Sequence, residues 1–477
     1  MSTGRPTTEE SPMERQVVDA ARWPGVARRP AMTGPRADLA RRAFARACER
    51  RGVGVSGGAS AAADAAGPAG PRDAHDDGAP DAPAPGPSLR VLDPTAYARI
   101  AESDWLGFGE AFLAGEWDAD DLVAVLAALL GGRLDVGVEG SIGRGLRRLT
   151  RTRPRPRPAA VGGGTLPASL VALYAGESLD LGSAIFATGP ATTAKQEIPS
   201  YVPGAGRRGE PSAFRVDVTR YDAPRGPERA DLPDAQDRRV RRLLRTAGIR
   251  AGSRVIEWPA SGGGVALAAA AAGADASVLA LADDHAASIQ RRARAAGLGE
   301  LVRVLRADEP APGPREFRHD YDAIICVEAL ETLGPGGMRR WLRSADRVLA
   351  RGGSVVVQIA VATEAFDDDA GDALDLMRSY IWPGLRYPTL DEIRRTVDRD
   401  TGLRIVGQSH FGGHWAETLR LWRETFEARS REAAGLGYDQ VHRRLWDYQF
   451  ALREALARTG RLDMVQLELI PAPRRRR

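Results

Sequence analysis

The stretch SRVIEWPASGGGVALAAAAAGADASVLALADDH, residues 253–285, decides the fold. Its first six residues, 253–258, include β-branched and aromatic side chains and predict a strand. Gly262, Gly263 and Gly264 predict a tight turn. An alanine-rich helix and a second strand at 277–281 follow. A strand, a turn, a helix and a strand of these lengths predict a right-handed βαβ unit in a parallel sheet.

The same alternation continues toward the C-terminus and predicts a doubly wound, mostly parallel α/β sheet of the Rossmann-like class. The strictly alternating segment 461–469 favours an antiparallel strand near the sheet edge. The remaining predicted strands are 301–305, 321–327, 354–360 and 403–406. One predicted helix ends near Ala296, and the others cover 338–350, 416–428 and 438–457.

The rest of the chain divides by composition. Residues 54–88 contain mostly Gly, Ala, Pro and Asp, which predicts a disordered linker, and alternating Arg and Pro at 144–158 exclude regular structure. We therefore predict six parts: a tail with a short helix (1–53), a disordered linker (54–88), a small, mostly helical module (89–143), a basic Arg/Pro linker (144–163), a lid or connector region (164–230) and the Rossmann-like domain (231–477).

Composition excludes several classes of protein. Lys and Arg number 67 against 63 Asp and Glu, so the net charge of +4 gives no reason to expect nucleic acid binding. Two cysteines make a disulfide framework or a cysteine-based zinc site improbable, and we expect no metal. The N-terminus lacks the apolar core of a signal peptide, and the longest apolar stretch, 262–282, is interrupted by Asp275. We expect a cytoplasmic protein.

The ligand of a doubly wound sheet lies at the carboxyl ends of its strands. Gly262 to Gly264 would allow a ligand to approach the backbone there. The same glycines would also suit a plain strand-to-helix connection that binds no ligand. Asp308 could accept a hydrogen bond from an amino group or cap a turn. Glu328 and Glu331 follow the strand 321–327, where they could handle a proton or form a solvated helix start.

Four separated segments resemble the cyclopropane-fatty-acyl-phospholipid synthases and their mycolic acid relatives. They are GFGEAFLAGEWDADDL (107–122), YIWPGLRYPTLDEI (380–393), FGGHWAETLRLWRETF (411–426) and the C-terminal part from GYDQVHRRLWDYQF (437–450) to RLDMVQLEL (461–469). The resemblance implies a class I methyltransferase that uses S-adenosylmethionine (SAM) to methylate a cis double bond in a membrane acyl chain, through a carbocation that then loses a proton.

The resemblance also implies roles for individual residues. Glu331 and Gln358 would be catalytic and would hold a bicarbonate or otherwise manage the proton. Tyr221, the three glycines 262–264 and Asp308 would bind the cofactor. The substrate would come from the inner membrane surface, where the basic runs 144–157 and 474–477 would attract anionic headgroups, and the chain would form homo-oligomers or pair with an active paralogue.

The chain departs from the family pattern at the cofactor loop. Pro259 and Ser261 stand where the family has glycine, and Trp415 replaces a tyrosine. An alternative prediction is therefore a catalytically silent paralogue that serves as a scaffold partner, or a basic peripheral lipid-binding protein without chemistry.

Overall fold

The computed structural model describes residues 18–30, 34–57, 86–130, 134, 165–207, 210–260, 262–317 and 320–472. The predicted Arg/Pro linker, the basic C-terminus 474–477, Ser261 and most of the predicted linker 54–88 lie outside these residues.

A nine-stranded sheet forms the centre of the molecule, in the order β4-β5-β11-β12-β10-β9-β6-β7-β8. Strands β10, β9, β6, β7 and β8 run parallel to one another, which confirms the predicted mostly parallel sheet. The strands are β4 (Thr192–Pro199), β5 (Ala213–Arg220), β6 (Arg254–Glu257), β7 (Asp275–Ala280), β8 (Val302–Arg306), β9 (Tyr321–Val327), β10 (Leu349–Ala362), β11 (Leu403–His410) and β12 (Leu462–Pro471).

Helices cover both faces of this sheet. Consecutive residues of one strand point to opposite faces, so Val255 of β6 packs in one buried cluster and Ile256 in another. The first cluster includes helices at 232–246, 264–271 and 283–295, and the second those at 334–348 and 390–400. This layered arrangement is the predicted doubly wound αβα fold.

The predicted place of β12 was wrong in one respect. The strand is antiparallel to β10, as expected, but it lies inside the sheet because β11 pairs with its other side. Strand β5 then pairs with β11, and β4 with β5. Both β4 and β5 come from the region 164–230, for which the sequence predicted no strands.

The helices begin and end close to the predicted positions. The helix 122–129 is capped by Asp121, whose carboxylate accepts a hydrogen bond from the amide of Ala124 at 2.8 Å. The helices are α1 (Pro24–Ala27), α2 (Gly34–Glu49), α3 (Thr95–Leu113), α4 (Leu122–Leu129), α5 (Ala168–Ala175), α6 (Leu232–Thr246), α7 (Gly264–Ala271), α8 (Asp283–Ala295), α9 (Gly334–Val348), α10 (Asp368–Ala373), α11 (Asp375–Tyr380), α12 (Leu390–Asp400), α13 (Gly412–Ala428), α14 (Ser430–Gly435) and α15 (Gln440–Arg458).

The N-terminal elements share one core with the C-terminal helices. Strands β1 (Gly54–Gly57), β2 (Ser88–Val91) and β3 (Trp117–Ala119) form a small sheet, so strand residues lie at both ends of the predicted linker, at 54–57 and at 88. Helix α3 packs against α11 and α15, and the Tyr380 hydroxyl donates to Glu110 at 2.7 Å. Within the described part of the chain, no helix is both long enough and apolar enough to span a membrane.

Candidate active site

A cavity of about 390 Å³ lies at the carboxyl ends of β6, β7, β8 and β9. The residues that follow these strands form its floor, and segments from α5, the loop after α11, α13 and α15 close it from above. The floor residues are Pro259, Ala260, Leu281, Ala282, Asp308, Pro310, Glu328 and Glu331. This is the position at which a doubly wound sheet binds its ligand, and the volume lies in the range of small-molecule sites.

The two ends of the cavity differ in chemistry. One end, beside β6 to β8, has small apolar side chains and the exposed carboxylate of Asp308. The other end has aromatic walls and the ionisable side chains of Glu328, Glu331 and Arg453. The aromatic residues there are Tyr174, Trp382, Tyr387, Trp422, Trp446 and Phe450. The first end suits a nucleoside, and the second a mostly apolar chain.

The predicted glycine turn faces the chain's own backbone rather than this cavity. A Cβ at Gly262 would lie 2.3 Å from the carbonyl oxygen of Leu179, and one at Gly264 would lie 2.9 Å from Oδ2 of Asp180. Gly263 packs on Ile289. The buried carboxylate of Glu257 accepts from the amides of Gly263 at 3.1 Å and Ala266 at 3.0 Å, and so caps α7.

Two arginines fix the covering turn, residues 178–183. Arg239, whose side chain is fully buried, forms a short ion pair with Asp180 and donates from Nε to Gln236 at 2.9 Å. Arg292 donates from Nη1 to the carbonyl oxygens of Ser178 at 2.5 Å and Gly262 at 2.7 Å. The turn is thus bonded both to α6 and to the glycine loop that it covers.

Glu328 is the most highly bonded carboxylate of the cavity. Its Oε1 accepts from the amide of Ser183 at 2.5 Å and from Nε2 of Gln358 at 2.7 Å. The Gln358 side chain is itself held, because its Oε1 accepts from Gln466 at 2.9 Å. Glu328 adopts a φ of 47°, a left-handed conformation that is uncommon for any residue but glycine.

Glu331 lies beside Glu328 and is buried. Burial, and secondly the negative charge of Glu328, raise the pKa of Glu331 to about 8. Its Oε2 has no hydrogen-bond partner among the described residues. Near neutral pH this side chain therefore carries a proton that it can donate into the cavity.

Arg453 completes the charged end. Its Nη2 lies 4.0 Å from Oε2 of Glu328, and its guanidinium lies over the rings of Trp382 at 5.7 Å and Trp415 at 5.4 Å. Sequence reasoning missed Arg453, although Trp446, Gln449, Phe450 and Arg453 recur at helical spacing and form the cavity side of α15. Leu445 and Leu452 of the same helix are buried and do not line the cavity.

The structure brings together some of the predicted site residues. Asp308 and Glu331 line the cavity, and Gln358 reaches it through its hydrogen bond to Glu328. The three glycines 262–264 lie behind the turn 178–183 and not on the cavity wall. Tyr221 lies away from the cavity, with its ring 5.9 Å from that of His414 and 5.2 Å from the guanidinium of Arg242. The roles assigned to these residues stay predictions.

Known proteins resemble this chain over most of its length. The family profile described as "Mycolic acid cyclopropane synthetase" matches residues 223–467. The tuberculostearic acid methyltransferase UfaA1 of Mycobacterium tuberculosis is 30% identical over 471 residues, which cover 97% of this chain and 99% of that protein. The cyclopropane mycolic acid synthase MmaA2 of the same organism is 26% identical and covers 51% of this chain and 86% of its own length.

A solved structure with lower sequence identity also supports the fold. Coclaurine N-methyltransferase bound to N-methylheliamine and SAH superposes with a TM-score of 0.51 at 14% identity, covering 77% of this chain and 99% of that one.

Proposed function

Because the chain belongs to the mycolic acid cyclopropane synthetase family of SAM-dependent methyltransferases, we propose that it transfers the methyl group of SAM to a cis double bond in the acyl chain of a membrane lipid. The observation that supports this proposal most directly is the cavity with two unlike ends. A donor with a nucleoside and an acceptor with a long apolar chain need two such ends that meet at one reacting centre.

The residues of the first end fit the nucleoside half of SAM. Asp308 offers an acceptor for hydroxyl or amino groups, and Ala260, Leu281 and Pro310 offer apolar contact for a base. The turn 178–183 and Ile289 pack against Gly262 to Gly264 and leave no open space beside them. We therefore assign the nucleoside to the strand ends rather than to the glycine turn. SAM, when bound, supplies an electrophilic methyl group.

The residues of the second end have the properties that an alkene acceptor requires. Aromatic walls from Trp382, Trp422 and Phe450 exclude water, which would otherwise trap a carbocation. Glu328 and Glu331 place a carboxylate and a protonated carboxyl group beside the same space. A proton released there has an acceptor within the cavity.

We further propose that the substrate is taken from the anionic inner face of a membrane. The support is the sequence of the basic runs 144–157 and 474–477, since clustered arginines attract anionic headgroups. This attraction weakens with salt. Binding to vesicles of dioleoyl phosphatidylglycerol should therefore fall as the ionic strength rises, whereas vesicles of dioleoyl phosphatidylcholine should bind weakly at any salt concentration.

Two measurements on the purified chain test the proposal. Calorimetry with SAM and with its demethylated product should give micromolar binding, and dioleoyl phosphatidylglycerol vesicles incubated with SAM should yield acyl chains heavier by one CH2 group. Vesicles with saturated chains are the control and should gain nothing. A chain that binds vesicles but neither SAM nor its product, and that modifies no acyl chain, would instead be the non-catalytic lipid-binding protein of the alternative prediction.

A further inference from the structure

We infer that the carboxylate of Glu328 is the base of this site, held in an anion site that Ser183, Gln358 and Arg453 form, so that the chain needs no added anion to take up the proton. This inference rests on the proposed methyl transfer and names the atom that receives the proton. Glu331, which the resemblance makes catalytic, would then serve as a neighbouring proton donor rather than as the base.

The donors around Glu328 form an anion site of fixed geometry. The Ser183 amide and Nε2 of Gln358 both point at Oε1, and the Arg453 guanidinium lies near Oε2. The orientation of the Gln358 amide is determined by its neighbour in the sheet, since Nε2 of Gln466 donates to its Oε1 and leaves its Nε2 to face Glu328. The side chain that the resemblance assigns to a bound bicarbonate is thus already bonded to a carboxylate of the chain.

The backbone of Glu328 has a left-handed conformation. A left-handed φ is unfavourable for a residue that carries a side chain, and glycine adopts it freely. The conformation is held by the Glu328 amide, which donates to the carbonyl oxygen of Gln358 at 2.8 Å. Glycine would suit this position better for folding alone, so the presence of a glutamate calls for a role of its side chain.

The two neighbouring carboxyl groups divide the roles. Two carboxylates in one buried space resist ionising together. Burial, and secondly the negative charge of Glu328, raise the pKa of Glu331, so Glu331 holds a proton near neutral pH and cannot accept a second one. Glu328 is the group of the pair that has an arginine and two N–H donors around it. Its Oε2 has only the distant Arg453 contact among the described residues, and is free to accept a proton.

The proposed step balances without any further reactant. The π electron pair of the alkene forms a bond to the methyl carbon, the S–C bond breaks with its electron pair on sulfur, and the second alkene carbon becomes positive. A C–H bond of the new methyl group then gives its proton to Oε2 of Glu328. The electron pair of that bond closes a three-membered ring. If a 1,2-hydride shift has first moved the positive charge to the methylated carbon, the same electron pair forms an exocyclic double bond instead. Neither product requires an oxidant or a reductant, and Glu328 afterwards returns its proton to solvent.

Chemical rescue tests this inference. Glu328→Gly removes the carboxylate, relieves the backbone and leaves the anion site open, whereas Glu328→Gln fills the same space with a neutral amide. We expect both variants to lose roughly 10²- to 10⁴-fold in the rate of methyl transfer to dioleoyl phosphatidylglycerol. Formate or bicarbonate should restore the glycine variant in a saturable manner and leave the glutamine variant unchanged. The wild-type rate should not change when bicarbonate is removed from the buffer.

A binding measurement separates this inference from the proposed function. Calorimetry should detect formate binding to Glu328→Gly but not to the wild type or to Glu328→Gln. If the wild type transfers methyl groups but requires added bicarbonate, or if the glycine variant is fully active without an anion, Glu328 is not the base. If the wild type transfers no methyl group, the proposed function and the base role fail together, and formate binding to the glycine variant then reports on the anion site alone.

Discussion

The carbonyl oxygen of Leu179 lies so close to Gly262 that a Cβ at residue 262 would meet it at 2.3 Å. Both residues have left-handed backbones, with φ of 52° at Leu179 and 107° at Gly262. The glycine is therefore required by the packing of one chain segment on another, 83 residues away along the chain. A glycine-rich turn after the first strand does not by itself show that a ligand lies there.

Gly262→Ala should be strongly destabilising. The new methyl group would meet backbone atoms that cannot rotate away, and alanine resists a φ of 107°. We expect a loss of roughly 3 kcal/mol or more in the free energy of unfolding, measured by urea denaturation. Gly297→Ala is the matched control, because its φ is 72° but nothing lies within 4 Å of the added Cβ. That variant should lose only about 1 kcal/mol, and equal losses in the two variants would contradict the packing described here.

The ion pair between Asp180 and Arg239 should matter far more than an exposed pair. Asp180→Asn would leave the fully buried Arg239 guanidinium without a counter-charge, at an expected cost of about 3–5 kcal/mol. The control is Glu102→Gln, whose partner Arg28 is 52% exposed and which should cost less than about 1 kcal/mol. Urea denaturation of both variants measures the difference, and a loss below about 1 kcal/mol for Asp180→Asn would show that the turn 178–183 does not depend on this pair.

Glu331→Gln should change how stability depends on pH. The titratable and charged groups that interact with Glu331 include Glu328, Arg453, Cys326 and Tyr387. Its folded-state pKa of about 8 lies above the ordinary value of 4.5, so the folded state binds this proton more tightly than the unfolded chain. The stability that this proton provides is complete below about pH 4.5 and is lost as the pH rises to about 8.

The glutamine variant lacks this ionisation and should become more stable than the wild type by a few kcal/mol, in order of magnitude, at about pH 9. At about pH 5 the difference should be much smaller. Urea denaturation at several pH values measures both curves. Glu364→Gln, at an exposed position, is the control and should run parallel to the wild type. A Glu331→Gln curve that also runs parallel would mean that Glu331 is ionised at neutral pH.

Apolar patterning was sufficient to predict the parallel part of the sheet. Strand β9 has the predicted bounds, Tyr321 to Val327, because five of its residues in a row are buried between two helical layers and must be apolar. Strand β4 could not be found in this way. Seven of its eight residues are exposed, and its sequence TTAKQEIP has the composition of a loop. Its conformation comes from pairing with β5 and not from burial.

The candidate site was predictable to the same degree. Topology alone places residues that follow parallel strands at one edge, which is why Asp308, Glu328 and Glu331 were expected together and do line one cavity. The turn 178–183 was not predictable, because it depends on the contact of Asp180 with Arg239, which neither periodicity nor a local motif encodes. The same holds for Arg453, which reaches Glu328 from a helix more than 100 residues later in the chain.

Asp308 provides the sharpest test of where the nucleoside binds. Asp308 is exposed at the end of β8 and lines the cavity, whereas the adjacent Glu309 is also exposed but does not line it. If the nucleoside of SAM occupies the strand ends, Asp308→Ala removes a hydrogen bond to a charged acceptor and should weaken the binding of SAM by roughly tenfold or more. Glu309→Ala removes the same charge at nearly the same distance and should leave the affinity within about twofold of the wild type. Calorimetry with the demethylated product measures both affinities without turnover. Equal weakening in the two variants would mean that the ligand responds only to long-range charge. An unchanged affinity in Asp308→Ala would mean that the nucleoside does not bind at the end of β8.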